Sequence, residues 1–309
     1  MEAAALAALA AASVLLAALA AYHLRKRLDM RDRSAVIAGA ALGIGRQVAL
    51  QLGAKGVKSL LLLDVLPLDD VRAEIAARYP HVSVRTCVCD VADADSVQMA
   101  VGRAEGPVSI LVNCAGVVSG RRFDELDAAQ FKRTMDVNLL GSFLLLKGFL
   151  PGMKQRGDGA VVLMSSLMGL MGGARLVDYC ASKFAVVGLA EALRLEGTAA
   201  VAVAVLCPYV VDTGMFRGAF EATWHTRLVK RAFPFLSAER VAAAAVFTAE
   251  RGLSVTRTVP AFFGPLVGVA RCLPSPVYEA VLLVMGGDRG MDSFVGRGSG
   301  AADKAKKRA

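Results

Sequence analysis

From Ser34 onward, short apolar runs alternate with helix-like stretches, and that alternation limits the fold more than any other feature of the chain. Runs expected as strands are 35–38, 60–64, 82–89, 110–112, 160–164, 201–206 and 255–261. Helical spacing falls near 46–55, 69–79, 94–104, 128–155, 179–197 and 238–250. Near-continuous apolar strands separated by helices are the pattern of a parallel sheet covered on both faces. The expected fold class is therefore α/β: a doubly wound, Rossmann-like parallel sheet forming a single domain over 34–261. Such a sheet binds ligands beyond the carboxyl ends of its strands.

Those ends carry suitable residues. Gly39-Ala40-Ala41-Leu42-Gly43-Ile44-Gly45 follows the first strand and opens the first helix. Glycines there allow a tight turn and close approach of the backbone to a pyrophosphate at the helix N-terminus. The second strand ends in Asp64, about twenty residues past Gly45, where an acid accepts ribose hydroxyls and repels a 2′-phosphate. A simple turn-terminating Asp is the other reading of Asp64. Asp90 and Val91 end the third strand, and Asn113-Cys114-Ala115-Gly116 ends the fourth.

Tyr179 and Lys183 stand four residues apart on an expected helix, hence on one face. A cation beside a phenol stabilises the phenolate. Moving the phenol from about 10 to about 7 takes about 4 kcal/mol. An acidified Tyr179 is one expectation, and an ordinary helix turn with an exposed lysine is the other.

In this order the motifs resemble the short-chain dehydrogenase/reductase family over about residues 34–260. Its Thr-Gly-x-x-x-Gly-x-Gly turn appears as Ala38-Gly39 through Gly45, and its Asn-Asn-Ala-Gly as Asn113 through Gly116. The family's catalytic Asn, Ser, Tyr and Lys fall on Asn138, Ser166, Tyr179 and Lys183, and its Pro-Gly-x-x-x-Thr segment on Pro208, Val211 and Thr213. The resemblance implies that Tyr179 moves the hydroxyl proton while Ser166 positions the substrate oxygen. It implies that Lys183 tunes Tyr179 and holds the nicotinamide ribose, and that Asn138 steadies a water leading to Lys183. The cofactor contacts implied are Gly39, Gly43, Ile44, Gly45, Asp64, Asp90, Val91, Asn113, Ala115, Gly116, Tyr179, Lys183, Pro208, Val211 and Thr213. Asp64 favours NAD over NADP. Three residues depart from the pattern: Ala38 for Thr, Cys114 for Asn and Tyr209 for Gly.

A narrower likeness rests on 178–184, on 207–218 and on Met291-Asp292-Ser293-Phe294. These segments are similar to the membrane-anchored retinol and hydroxysteroid dehydrogenases of the endoplasmic reticulum and lipid droplets. That likeness implies NAD-dependent oxidation of a lipophilic alcohol, and a homodimer paired through the long fourth and fifth helices. Two rivals remain: an NADPH-dependent reductase of a keto-lipid or retinal, and a non-catalytic protein of a membrane or lipid-droplet surface.

The flanks fit a membrane partner. Residues 3–22 carry no charge and would measure about 30 Å as a helix, one hydrocarbon thickness. Residues 1–24 are read as an anchor that spans the bilayer or lies in its interface; an Ala-rich helix packed on the protein is the alternative. Arg25, Lys26 and Arg27 follow, which places the catalytic domain on the cytosolic side. The tail, 297–309, is basic, expected to be disordered, and ends in a dilysine-like retrieval signal. The net charge is +9, much of it in these clusters, and no nucleic-acid motif accompanies it. Three His without ligand spacing argue against a metal site, and six Cys without a CxxC pair fit a reducing compartment.

Two apolar segments close the reading. Residues 214–237 are a greasy substrate loop or a helix pair packed into the core. The apolar extension 262–296 is too short and Pro-interrupted to span a bilayer. It is read as a membrane-facing platform, with ordinary packing or a dimer contact as the alternative.

Overall fold

The computed structural model describes Ser13, residues 27–197 and residues 200–296. Seven parallel strands lie in the order β3-β2-β1-β4-β5-β6-β7. They are β1 (Ser34–Ala38), β2 (Ser59–Asp64), β3 (Ser83–Val88), β4 (Val108–Asn113), β5 (Ala160–Met164), β6 (Ala202–Pro208) and β7 (Thr256–Val259). Strand order reverses between β1 and β4, which makes the crevice beyond their carboxyl ends the natural ligand site.

Successive side chains on a strand point to opposite faces, so each strand feeds two cores. Ala35 and Ile37 of β1 pack under α1 (Gly43–Ala54) and α8 (Ala238–Glu250) through Val48, Leu52, Val241 and Ala245. Val36 and Ala38 face the other layer, where α3 (Ala94–Gly102), α5 (Gly141–Arg156) and α6 (Val177–Leu195) contribute Val97, Leu145, Phe149 and Val186. α2 (Asp69–Arg78) completes the first layer with Val71 and Ile75. The expected doubly wound domain is present.

Local chemistry sets the helix ends. Asp93 caps α3 by accepting from the Asp95 amide, and Asp127 caps α4 (Ala128–Met135) in a reciprocal pair with Gln130. Gly157, left-handed at φ 66°, ends α5.

Two findings differ from expectation. The single helix expected over 128–155 is α4 and α5 joined by a π turn at Asp136–Leu140. β3 is an edge strand rather than a fully buried one, and its Val88 is exposed. The segment 214–237 contains α7 (Trp224–Ala232). The extension beyond 262 folds into α9 (Phe263–Arg271) and α10 (Ser275–Val284). The expected anchor and basic tail fall outside the described residues, apart from Ser13. Among the described residues no helix is long and apolar enough to cross a membrane.

Candidate active site

A cavity of about 330 Å³ opens beyond the carboxyl ends of β1, β2, β4, β5 and β6. Its floor is the glycine turn. Gly39 has φ 74°, and a Cβ there would meet the Ala115 amide nitrogen at 2.7 Å. Only a residue without a side chain permits that approach. A Cβ on Gly45 would collide with the Gly39 carbonyl oxygen, which pins the start of α1 onto the turn. Leu42, at the N-cap, offers no side-chain hydrogen bond, so the first amides of α1 have no side-chain acceptor there.

Asp64 fits the turn reading. Its carboxylate accepts the Ala41 amide at 2.9 Å and the Leu66 amide at 3.0 Å, bracing the glycine turn against β2. It also lines the cavity. Asp90 and Val91 line the next stretch, where Asp90 accepts the Ala92 amide and the Arg133 guanidinium. Ala115, Gly116, Pro208, Val211 and Thr213 continue the wall.

Three expected site residues stand behind the wall rather than on it. Gly43, left-handed at φ 55°, shapes the turn. Asn113 is buried, donating to Ser142 Oγ at 2.9 Å and accepting from the Ala115 amide at 3.0 Å. Asn138 sits within the π turn, a distortion that often marks functional sites. Its Oδ1 accepts the Val117 amide at 2.8 Å, and its Nδ2 donates to the Val117 carbonyl at 3.0 Å and to Ser182 Oγ at 2.9 Å. A Cβ on Gly116 would lie 3.3 Å from Asn138 Oδ1 and 3.4 Å from Lys183 Nζ, so the two side chains flank one backbone point.

Ser166, Tyr179 and Lys183 converge on the cavity. Ser165 and Ser166 follow β5; Ser165 donates to the Lys183 carbonyl at 2.9 Å and fastens α6 to the sheet. The Lys183 ammonium lies 5.5 Å from the centre of the Tyr179 ring and donates to the Met164 carbonyl at 2.9 Å. The spacing thus does bring the two groups onto one face, and the exposed-lysine reading is wrong.

Their electrostatics differ from expectation. Burial raises the Tyr179 hydroxyl above its ordinary value, and the Ser166 hydrogen bond pulls it only partway back. Burial also lowers Lys183 to about 8. Desolvation penalises the charged form of each group and is the largest cause of both shifts. The thiol of Cys114, in the position of the family's second Asn, is pushed up to about 12 by the same burial.

A second cavity, of about 250 Å³, adjoins the first and shares Ser166, Pro208, Tyr209 and Phe216 with it. Its other walls are apolar and come from Leu167, Met168, Phe220 and the late helices α9 and α10. Phe216 meets the Tyr179 ring edge-on at 5.8 Å. The segment 290–296 holds that wall in place: Ser293 Oγ donates to the Gly218 carbonyl and the Val295 amide to the Arg217 carbonyl. Phe294 packs against both Phe216 and Gly120. Tyr209 stacks on Phe263 at 5.2 Å, and its hydroxyl and that of Tyr278 are buried without a hydrogen-bond partner.

Sequence reasoning did not find Arg133, Met164 or Cys89 on the first cavity. Arg133 reaches Asp90 from 43 positions away, and nothing in the spacing of α4 signals it.

The short chain dehydrogenase family matches residues 33–224. Short-chain dehydrogenase/reductase family 16C member 6 of Bos taurus is 36% identical over 202 residues, covering 63% of this chain and 64% of that protein. This chain therefore spans just under two thirds of that relative's length. Retinol dehydrogenase 10-B of Xenopus laevis is 35% identical over 243 residues, or 68% of this chain and 69% of that protein. A solved short-chain type dehydrogenase/reductase from Mycobacterium ulcerans aligns with a TM-score of 0.69 at 25% identity, covering 75% of this chain and 90% of that one. A glycine turn under a cleft holding Ser166, Tyr179 and Lys183, and relatives of this kind, place the chain in the short-chain dehydrogenase/reductase family of oxidoreductases, in its retinol dehydrogenase branch.

Proposed function

We propose that the chain interconverts a lipophilic alcohol and its carbonyl compound, with NAD as the preferred partner in hydride transfer. The observation that carries this reading is the junction of the two cavities. The first holds Tyr179 and Lys183, the second, more apolar one is walled by Phe220, α9 and α10, and Ser166 belongs to both. A reacting oxygen at Ser166 and Tyr179 would leave an apolar body in the second chamber.

A nicotinamide dinucleotide supplies the hydride acceptor or donor. Gly39, Ile44, Gly45, Asp64, Asp90, Val91, Ala115, Gly116, Lys183, Pro208, Val211 and Thr213 would hold it, with Gly43 and Asn113 shaping the turn and loop behind. The fit favours NAD: Asp64 is an acid, its neighbours Val65 and Leu66 are neutral, and the cations on the cavity are Arg133 and Lys183. Ser166 orients the substrate oxygen by hydrogen bonding. Tyr179 Oη takes the hydroxyl proton in oxidation and returns it in reduction. Lys183 holds positive charge near the phenol, and Asn138, bonded to Val117 and Ser182, fixes the local backbone.

Burial raises the Tyr179 hydroxyl and so favours the protonated phenol, the form that donates to a carbonyl oxygen. Asp64 argues against NADPH as the reductant.

We place the protein at the endoplasmic reticulum membrane or on lipid droplets, with the catalytic domain facing the cytosol. Support comes from the uncharged stretch 3–22, the basic run after it and the Lys306-Lys307-Arg308 tail. A homodimer is also proposed.

The test is turnover of a panel of retinoid, steroid and fatty alcohols by the full chain, with NAD and with NADP. Preference for NAD and loss of about 10² to 10⁴ in rate on Tyr179→Phe are expected. Equal turnover by a folded Tyr179→Phe variant would overturn the assignment.

A further inference from the structure

α9 and α10 are apolar on two sides. Phe263, Val267, Val281 and Leu282 line the second cavity, while Val269, Val277 and Val284 are turned outward, with Val269 67% exposed and Val284 68%. No residue of α10 is buried. A helix that is apolar all round is stable when something covers it.

The neighbouring α7 extends the same face. Its Trp224 is 73% exposed and Leu228, one turn on, is also exposed. Arg227 and Arg231 lie on the same stripe. The Nε2 of His225 donates to the Val284 carbonyl at 2.8 Å, which joins the start of α7 to the end of α10. The face is thus continuous across three helices. Arg227, Lys230, Arg231 and Arg271 stand on those helices with one acid, Glu279; Glu221 pairs with Lys230 at 2.7 Å and Arg271 lies over the Phe184 ring, so Arg227 and Arg231 beside Trp224 carry the positive charge of the face.

We propose that the face formed by α7, α9 and α10 docks on an anionic lipid surface. The charge balance selects this occupant: a second copy of the same face would set cation against cation, whereas acidic headgroups complement it. Tryptophan and arginine on an amphipathic stripe are the residues that settle at a membrane interface. The proposal rests on the reading of a lipophilic substrate, since docking sets the apolar chamber one helix thickness, about 10 Å, from the lipid.

Trp224 is the single tryptophan of the chain, so its emission reports on this face alone. The full chain is mixed with vesicles of phosphatidylcholine and phosphatidylserine, with and without brominated acyl chains. Docking shifts Trp224 emission to shorter wavelength, and brominated lipid quenches it about twofold. The double variant Val269→Glu, Val277→Glu loses both effects. Three outcomes overturn the proposal: no vesicle binding, binding with Trp224 emission unchanged, or a shift that tracks protein concentration without vesicles. The last would make the face a contact between copies. Turnover of a detergent-dispersed alcohol is measured in parallel. Activity without quenching sinks the docking alone, and quenching without activity sinks the oxidoreductase reading alone.

Discussion

Thr134 on α4 donates its hydroxyl at 2.6 Å to the fully buried carboxylate of Asp178, the residue before Tyr179. Ser119, in the loop after β4, donates to the other oxygen at 2.9 Å. One carboxylate therefore ties the helix bearing Tyr179 to two separate elements of the cavity wall. Thr134→Val keeps the shape and removes one donor, leaving a buried oxygen unpaired at a cost of about 1–3 kcal/mol. Urea unfolding should show that loss, and no change in midpoint would mean that the pair carries no stability.

Lys183 is buried at the expense of the fold. Its value in the native state, about 8, lies below the ordinary 10.5, so the unfolded chain binds more protons between those two pH values. Stability attributable to Lys183 accordingly rises with pH across that window, and the penalty is complete below it. It amounts to about 3 kcal/mol. Lys183→Met should be inactive, more stable than wild type at pH 7, and should close that gap only as pH rises past 10.5. A variant less stable at pH 7 would refute the burial cost.

Raising the Tyr179 hydroxyl gives oxidation a distinct pH profile. The phenolate forms only as pH rises, so kcat/KM for alcohol oxidation should climb by up to about tenfold per unit below the phenol's titration. The slope should lessen above about 8, where Lys183 gives up its charge. Reduction uses the protonated phenol and should stay nearly flat from neutrality to about pH 8. A flat oxidation profile would remove Tyr179 from proton transfer.

The orphan hydroxyl of Tyr209 makes Tyr209→Phe a favourable change. Deleting a buried group that has no partner, at constant ring shape, should stabilise the fold by about 1 kcal/mol. The stack on Phe263 survives. A rise in KM with unchanged stability would instead identify this hydroxyl as a substrate contact.

Gly39→Ala should fail in two ways at once. The backbone is left-handed there, and the added methyl meets the Ala115 nitrogen at 2.7 Å. A loss of about 1–3 kcal/mol in stability is expected, together with weakened nucleotide binding. Calorimetry with NAD checks both, and unchanged binding would detach the glycine turn from the cofactor.

The sheet was legible because its strands are apolar runs bounded by glycine or acid, and 160–164 matches β5 at both ends. Tyr179 and Lys183 were legible because helix periodicity fixes which side chains are neighbours. The π turn was not, since one extra residue per turn leaves no mark on the apolar pattern of 128–155. For 214–237 a loop and a helix pair both stayed open, since its scattered aromatic and basic residues suit either until His225 meets Val284. The sign of the Tyr179 shift was missed for a physical reason. Sequence spacing reports that a cation is near, whereas depth of burial depends on Phe216 and Ser166, which arrive from elsewhere in the chain.

All seven strands are complete by Val259, yet the wall beside Tyr179 is held by Ser293, Phe294 and Val295. The sheet and the second chamber are therefore finished by different stretches of chain: Leu167, Met168 and Phe220 stand before β7 ends, while α9, α10 and the Ser293 clasp come after it. A cut behind β7 would open that chamber on one side and leave every strand in place.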